Sequence, residues 1–226
     1  MKMFLSLLLS LSCVLGYAQG ISGAWHAIDN GVTTQILATE QYISVTEYTP
    51  TSFNKTWGGK YEVQKGGSIQ IKLEFHSESP SLVGTEQTYN IKTKKKSLEF
   101  NNKNFQRLSP DRKDALSGLW VITGRANPEG NISKMTPGAR RTYKMMVEGH
   151  FQWLAINIQS GEFSGTGGGK YSLKDGKYIE KIEFFSRDNS RVGAELDFNA
   201  EVNDKEWIHS GKSSKGDPIK EVWTKQ

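Results

Sequence analysis

The stretch Lys72-Leu73-Glu74-Phe75-His76-Ser77 returns later in the chain as Lys181-Ile182-Glu183-Phe184-Phe185-Ser186, and this recurrence decides the fold. The correspondence continues without a gap: Val83-Gly84-Thr85-Glu86 meets Val192-Gly193-Ala194-Glu195, and Tyr89-Asn90 meets Phe198-Asn199. Upstream, Thr56-Trp57-Gly58-Gly59-Lys60-Tyr61 meets Thr166-Gly167-Gly168-Gly169-Lys170-Tyr171, and Ser22-Gly23-Ala24-Trp25 meets Ser117-Gly118-Leu119-Trp120. Landmarks repeated in one order mark two copies of a single module.

Within each copy the apolar runs are short, rich in β-branched and aromatic residues, and separated by turn signals such as Asp175-Gly176, Asn203-Asp204 and Gly216-Asp217-Pro218. No long segment carries a 3.6-residue apolar stripe, so the chain reads as all-β. In the second copy strands are expected near 117–122, 141–148, 150–158, 168–173, 177–187, 193–202, 205–211 and 219–225. Sequential antiparallel strands leave two open edges unless the sheet closes, which predicts two tandem small up-and-down β-barrels. Alternation puts Leu73 and Phe75, with Ile182 and Phe184, on the apolar face, and leaves Glu183 and Glu195 on the surface rather than as catalytic acids.

Residues 1–18 have a basic start at Lys2, an apolar run and the small-x-small ending Gly16-Tyr17-Ala18, the anatomy of a signal peptide cleaved after Ala18. Secretion or a periplasmic location is the expectation. Ser10 stands three residues before Cys13, where a lipoprotein signal carries Leu, which argues against an outer-membrane lipid anchor. Cys13 is the only cysteine, so a cleaved chain has no disulfide and no thiolate metal ligand. No later run reaches the roughly 20 apolar residues of a membrane-spanning helix. The remaining boundaries are a first module at 19–108, a linker at 109–116 containing Ser109-Pro110-Asp111-Arg112-Lys113-Asp114, and a second module at 117–226.

Each copy opens with Gly-x-Trp and closes on an aromatic-x-basic strand, Phe105-Gln106-Arg107 and Trp223-Thr224-Lys225. This pattern resembles the lipocalins and the wider calycin superfamily, in which the first-strand Trp packs on a basic residue of the last strand. The resemblance implies barrel closure by Trp25 with Arg107 and Trp120 with Lys225. In the second copy Tyr143-Lys144-Met145-Met146, Glu148-Gly149-His150-Phe151, the Gly167-Gly168-Gly169-Lys170-Tyr171 run and Glu221-Val222-Trp223 resemble uncharacterised lipocalin-like proteins secreted by Gram-negative bacteria. The resemblance implies ligand binding and no known activity.

The glycine run before Lys170 lacks the Ser or Thr and the following helix of a phosphate loop, and reads as a sharp strand start or bulge. His26, His76, His150 and His209 show no metal-ligand spacing, and no nucleophile elbow is present, so no metal, cofactor or catalytic residue is assigned. The cluster Lys92 with Lys94-Lys95-Lys96 reads as a solvated turn, so no nucleic-acid partner is expected.

The reading favoured is non-catalytic binding of a small, largely apolar or amphipathic molecule in the second barrel. Two alternatives are an envelope protein-interaction or structural module with filled barrels and a protein partner, and an enzyme acting in a barrel cavity. The candidate ligand-binding residues are Tyr143, Met145, Trp153, Tyr171, Phe184 and Phe198 as aromatic and apolar walls, with His209 and Glu221 as polar anchors. Arg125 and Arg141 sit on the long 123–141 connection, read as a lid over the mouth opposite Trp120 and Lys225.

Overall fold

The computed structural model describes residues 20–109, 112–127 and 129–226. The signal segment, Cys13, and Pro110 and Asp111 of the linker lie outside the described residues. The first eight strands form one closed antiparallel barrel in sequential order. They are β1 (Gly23–Asp29), β2 (Val32–Ala38), β3 (Tyr42–Thr49), β4 (Ser52–Gln64), β5 (Ser68–His76), β6 (Glu86–Lys94), β7 (Ser97–Phe100) and β8 (Lys103–Arg107). The second barrel repeats this order with β9 (Gly118–Ala126), β11 (Arg140–Val147), β12 (His150–Asn157), β13 (Phe163–Lys174), β14 (Lys177–Phe185), β15 (Glu195–Val202), β16 (Glu206–Lys212) and β17 (Pro218–Lys225). Pairing of β17 with β9 closes it. An additional short strand, β10 (Ile132–Lys134), hangs on the edge of β9 within the 123–141 connection. Among the described residues no helix is long and apolar enough to cross a membrane.

The glycine runs are bulge sites. Gly58 faces Phe75 and Gly59 faces Leu73, leaving Glu74 as the extra residue; Gly168 faces Phe184 and Gly169 faces Ile182, leaving Glu183. A Cβ on Gly59 would lie 2.1 Å from the Lys72 carbonyl oxygen, and one on Gly169 would lie 2.0 Å from that of Lys181. Only a residue without a side chain lets the two strands cross this closely. The extra residue also reverses the alternation. Leu73 and Ile182 point into their barrels, whereas Phe75 and Phe184 turn outward. The expectation that Phe184 shares the interior face with Ile182 is therefore corrected.

Those outward faces meet each other. Ala24, Leu37, Tyr42 and Phe75 of the first barrel form one buried cluster with Val121, Tyr143, Met145, Val147, Leu154 and Ile156 of the second. Phe184 packs at a tilt against Tyr48 and Phe53 across the same junction. At its centre Gln152 is fully buried and donates to Thr56 and Thr166 at 3.2 and 3.1 Å, while Thr46 donates to the Gln152 carbonyl oxygen at 3.3 Å. Glu148, in the turn between β11 and β12, pairs with Arg107 and accepts the Ala24 backbone N–H at 3.1 Å. The closed end of the first barrel is thus completed by a carboxylate from the second.

The two closed ends are built alike. The Arg107 guanidinium sits 5.2 Å from the Trp25 ring centre, and the Lys225 ammonium 5.3 Å from that of Trp120. Trp25 Nε1 donates to the Ile21 carbonyl at 2.8 Å, and Trp120 Nε1 to that of Leu116 at 2.7 Å. Ile21 and Leu116 are both fully buried plugs. Leu116, placed in the linker by sequence, belongs to the core of the second barrel, and the neighbouring half-buried Asp114 accepts the Tyr171 hydroxyl at 2.9 Å.

The bulge yields a stability prediction. Gly169→Ala is expected to cost about 3 kcal/mol or to prevent folding, because a backbone carbonyl occupies the new methyl's place. Gly138→Ala, where nothing lies within 4 Å of the added carbon, is the control. Urea denaturation followed by tryptophan fluorescence measures both; equal midpoints would refute the bulge constraint.

Candidate functional site

The lumen of the second barrel holds a cavity of about 1030 Å³ that opens between the ends of β9 and β12 and the starts of β11, β13 and β17. Arg125, Arg140, Arg141, Arg187, Arg191, Lys215 and Lys220 line its outer part, against Asp188, Asp217 and Glu221. Positive charge therefore predominates at the mouth. Trp153, Ile182, Phe185, Leu196, Phe198, Ile219 and Trp223 supply apolar wall. Arg187 lies 5.5 Å from the Trp153 ring centre, and Trp153 meets Phe185 edge to face at 5.4 Å.

The deep end is ionic. Lys144, inward on β11, places Nζ 2.5 Å from Oε1 of Glu180, inward on β14, and each side chain is 5% exposed. Tyr178 also donates to Glu180 Oε1, at 2.8 Å. Four rings surround the ammonium: Tyr178, Trp207, Trp223 and Phe151, with centres 5.1, 5.2, 5.5 and 5.7 Å away. Such contacts contribute roughly 0.5–2 kcal/mol each to holding a cation. They also shield it from water, so removing one member of the pair would cost about 3–5 kcal/mol. Burial, followed by the nearby Glu180 carboxylate, raises the Tyr178 phenol well above its ordinary range and keeps it a donor.

A second polar line leads outward. His209 is buried between rings, stacking on Phe198 at 4.7 Å and meeting Trp207 edge to face at 5.0 Å. Its Nε2 lies 3.2 Å from Glu221 Oε2, but off the line of a hydrogen bond, and Glu221 Oε1 lies 3.3 Å from Arg125 Nη2. Burial is the main force lowering the His209 pKa; Glu221 opposes it and Lys144 adds to it. For Glu221 burial acts upward but is outweighed by contact with His209 and by the charges of His209, Lys144 and Arg125, so its pKa is lowered. Both His209 ring nitrogens and the Trp207 and Trp223 indole N–H groups are buried with no hydrogen-bond partner among the described residues.

Register shows that this polar set replaces apolar residues of the first barrel. Lys144 pairs with Trp120 as Ile36 pairs with Trp25, and Glu180 pairs with Tyr171 as Ile71 pairs with Tyr61. His209 pairs with Glu221 as Phe100 pairs with Lys103. The first barrel fills the same space with Ile36, Ile71, Leu98, Phe100 and Phe105, and Phe100 stacks on Tyr89 at 5.0 Å. Two isoleucines in one core have become a lysine and a glutamate in the other, at positions that meet across the lumen.

Of the residues expected from sequence, Trp153, Phe198, His209, Glu221, Arg125 and Arg141 line the cavity. Tyr143, Met145 and Phe184 do not. They face the first barrel, Tyr143 lying 5.3 Å from the Tyr42 ring and Phe184 4.9 Å from Tyr48. Tyr171 sits at the closed end beside Leu116 rather than near the mouth. The 123–141 connection gives Arg125, Ala126, Arg140 and Arg141 to the rim, while Ile132–Lys134 in its middle pair with β9 as β10 and are not among the residues lining this cavity. Sequence reasoning missed Lys144, Glu180, Tyr178 and Trp223. A usable signal existed: Thr142-Lys144-Met146 and Tyr178-Glu180-Ile182 each place one charge between residues of a buried face. Among the described residues no three His, Asp or Glu groups converge as metal ligands.

Strand order, closure and an open polar-lined lumen together define a tandem lipocalin-like β-barrel protein. Residues 115–226, the second barrel, match the model of a domain of unknown function, DUF4488. Among solved structures the chain is similar to a lipocalin-like protein from Bacteroides uniformis ATCC 8492, at 15% identity over 50% of this chain and 100% of that one, with a TM-score of 0.36. It is also similar to an uncharacterized protein from Bacteroides eggerthii DSM 20697, at 21% identity over 49% of this chain and 98% of that one, with a TM-score of 0.35. No curated protein matches the chain.

The lowered His209 and Glu221 pKa values predict acid-sensitive stability. Unfolded histidine titrates near about 6.5, whereas folded His209 takes its proton only at lower pH. As pH falls through that range the unfolded chain gains protons that the folded barrel refuses, and stability drops. Glu221 acts in the same direction further down, its ionised form supporting the fold until pH falls through its lowered value. The melting temperature should therefore fall between about pH 7 and about pH 5. His209→Phe should flatten that slope, leaving the part due to His76 and His150, which burial also lowers. An unaltered slope in the variant would place the sensitivity elsewhere.

Proposed function

We propose that the second barrel binds a small amphipathic molecule with an acidic group, its apolar body lying in the lumen and its acid at the arginine-rich mouth. The carrying observation is the open cavity of about 1030 Å³ with aromatic walls and a predominantly basic rim. A site of that size takes a molecule of ordinary ligand dimensions. Arg140 lines the mouth and is exposed, and Arg125 is more than half exposed, so both can meet a carboxylate or phosphate oxygen at modest desolvation cost. The first barrel, its interior packed with apolar side chains, serves in this reading as the scaffold against which the binding barrel is held.

The same reading makes the protein an exported one, acting in the periplasm or outside the cell, on the strength of the signal-like residues 1–18. Intact mass of the protein from its producing cell should correspond to a chain beginning at Gln19. A cytoplasmic product retaining Met1 would remove the export proposal while leaving the ligand site untouched.

Dodecanoic acid is a suitable first probe, with dodecanol as its uncharged counterpart. Saturable one-to-one quenching of tryptophan fluorescence is expected for the acid, about tenfold tighter than for the alcohol at low salt. Trp153→Ala and Arg125→Ala/Arg140→Ala should each weaken the acid about tenfold, the double arginine change removing the preference over the alcohol. Absence of saturable binding by either probe would overturn the proposal.

A further inference from the structure

Resting on that binding site, we infer that its ligand is polar at both ends: an acid at the mouth and an uncharged hydrogen-bonding group, a hydroxyl or carbonyl, at the floor beside Lys144 and Glu180. The floor is where an apolar pair in one barrel becomes a charged pair in the other. At the positions of Ile36 and Ile71 in the first barrel, the second carries Lys144 and Glu180, and both line the cavity. A buried ion pair is weak support for stability, since apolar residues of similar volume usually serve as well or better. The first barrel demonstrates the apolar solution with its own residues. The pair in the second barrel therefore calls for a role other than holding the fold.

Its unused hydrogen-bonding capacity supplies one. An ammonium has three donors. Among the described residues the one hydrogen bond of Lys144 Nζ is to Glu180, and its other neighbours are ring faces. Glu180 accepts Lys144 and Tyr178 on the same oxygen, Oε1, which leaves Oε2 as an open acceptor. The Trp223 indole N–H, on another wall of the cavity, is buried and unpartnered. Donors and an acceptor without partners at the floor of a cavity are expected to meet water or a ligand. A purely hydrocarbon end would displace water from them and return nothing.

Charge decides which end goes where. Lys144 is already matched by Glu180 at 2.5 Å, so a second carboxylate reaching the floor would face Glu180 as well as Lys144, in a setting that strengthens repulsion. At the mouth, basic side chains outnumber acidic ones and water is at hand. The acid thus stays outward, and a neutral group that both donates and accepts, or accepts alone, goes inward.

The test compares dodecanoic acid with ω-hydroxydodecanoic acid on the unaltered chain by isothermal calorimetry. The hydroxy acid is expected to bind about tenfold tighter, the fold-change that one net hydrogen bond gives. In Lys144→Ile/Glu180→Ile, which copies the first barrel's residues, the ratio of the two affinities should fall to one or reverse, whatever the absolute affinity of either acid becomes. Equal affinities for the two acids on the unaltered chain overturn the inference and leave the binding proposal standing. Failure of both acids to bind overturns the binding proposal and the inference with it. Should the double variant not fold, Trp223→Phe, which removes one floor donor and retains a ring, is expected to narrow the preference; an unchanged ratio there counts against the inference.

Discussion

Two strand crossings, each made at a pair of glycines, govern the rest of this molecule. At Gly58-Gly59 and Gly168-Gly169 the neighbouring strand passes so close that a Cβ would meet backbone or ring atoms. The bulge opposite each pair inserts Glu74 or Glu183 and reverses the in–out alternation of β5 and β14 halfway along. Below the bulge Leu73 and Ile182 fill the barrels; above it Phe75 and Phe184 are delivered to the outside. Without that reversal Phe75 and Phe184 would point into the lumens and be lost from the surface that joins the two barrels.

Joining the barrels alters how β11 and β12 must be composed. A strand with solvent on one side alternates apolar with polar, but β11 has a barrel interior on one side and another barrel on the other. Its outward positions Tyr143, Met145 and Val147 are therefore apolar, and its inward set contains Lys144. The polar centre of the junction, Gln152 with the hydroxyls of Thr46, Thr56 and Thr166, satisfies its donors and acceptors internally and fixes the register of one barrel on the other. Glu148 strengthens this coupling by pairing with Arg107 at the closed end of its neighbour.

One module has thus been used in two ways. The first barrel spends its interior on contacts: Trp57, Tyr89 and Phe100 stack on one another at 5.0 to 6.3 Å. In the second barrel the position of Trp57 is Gly167, the tryptophan moves to Trp153 on the adjacent strand, and His209 stands where Phe100 stands. Exchanging large apolar residues for a glycine and for ionisable groups opens a lumen and makes it polar. The cost of burying Lys144 and Glu180 is tolerable because the pair is close, caged by rings and braced by Tyr178.

The sequence by itself determined the duplication, the all-β class and the closure of each barrel by Trp25 with Arg107 and Trp120 with Lys225, because each depends on local spacing or on residues kept in both copies, and it narrowed the glycine runs to a strand start or a bulge, of which the structure shows the bulge. It also pointed to Trp153, Phe198, His209, Glu221, Arg125 and Arg141, which share the cavity. Only the tertiary structure decided the faces of Tyr143, Met145 and Phe184, the place of Tyr171, and the membership of Leu116 in the core. The physical reason is that alternation with a period of two labels two faces without saying which is inside. A one-residue bulge exchanges the labels, and a second barrel docked outside makes both faces apolar. Lys144 and Glu180 stayed hidden for the same reason: a charge on a strand is read as solvent-facing until its partner, 36 residues away in sequence, is seen across the lumen.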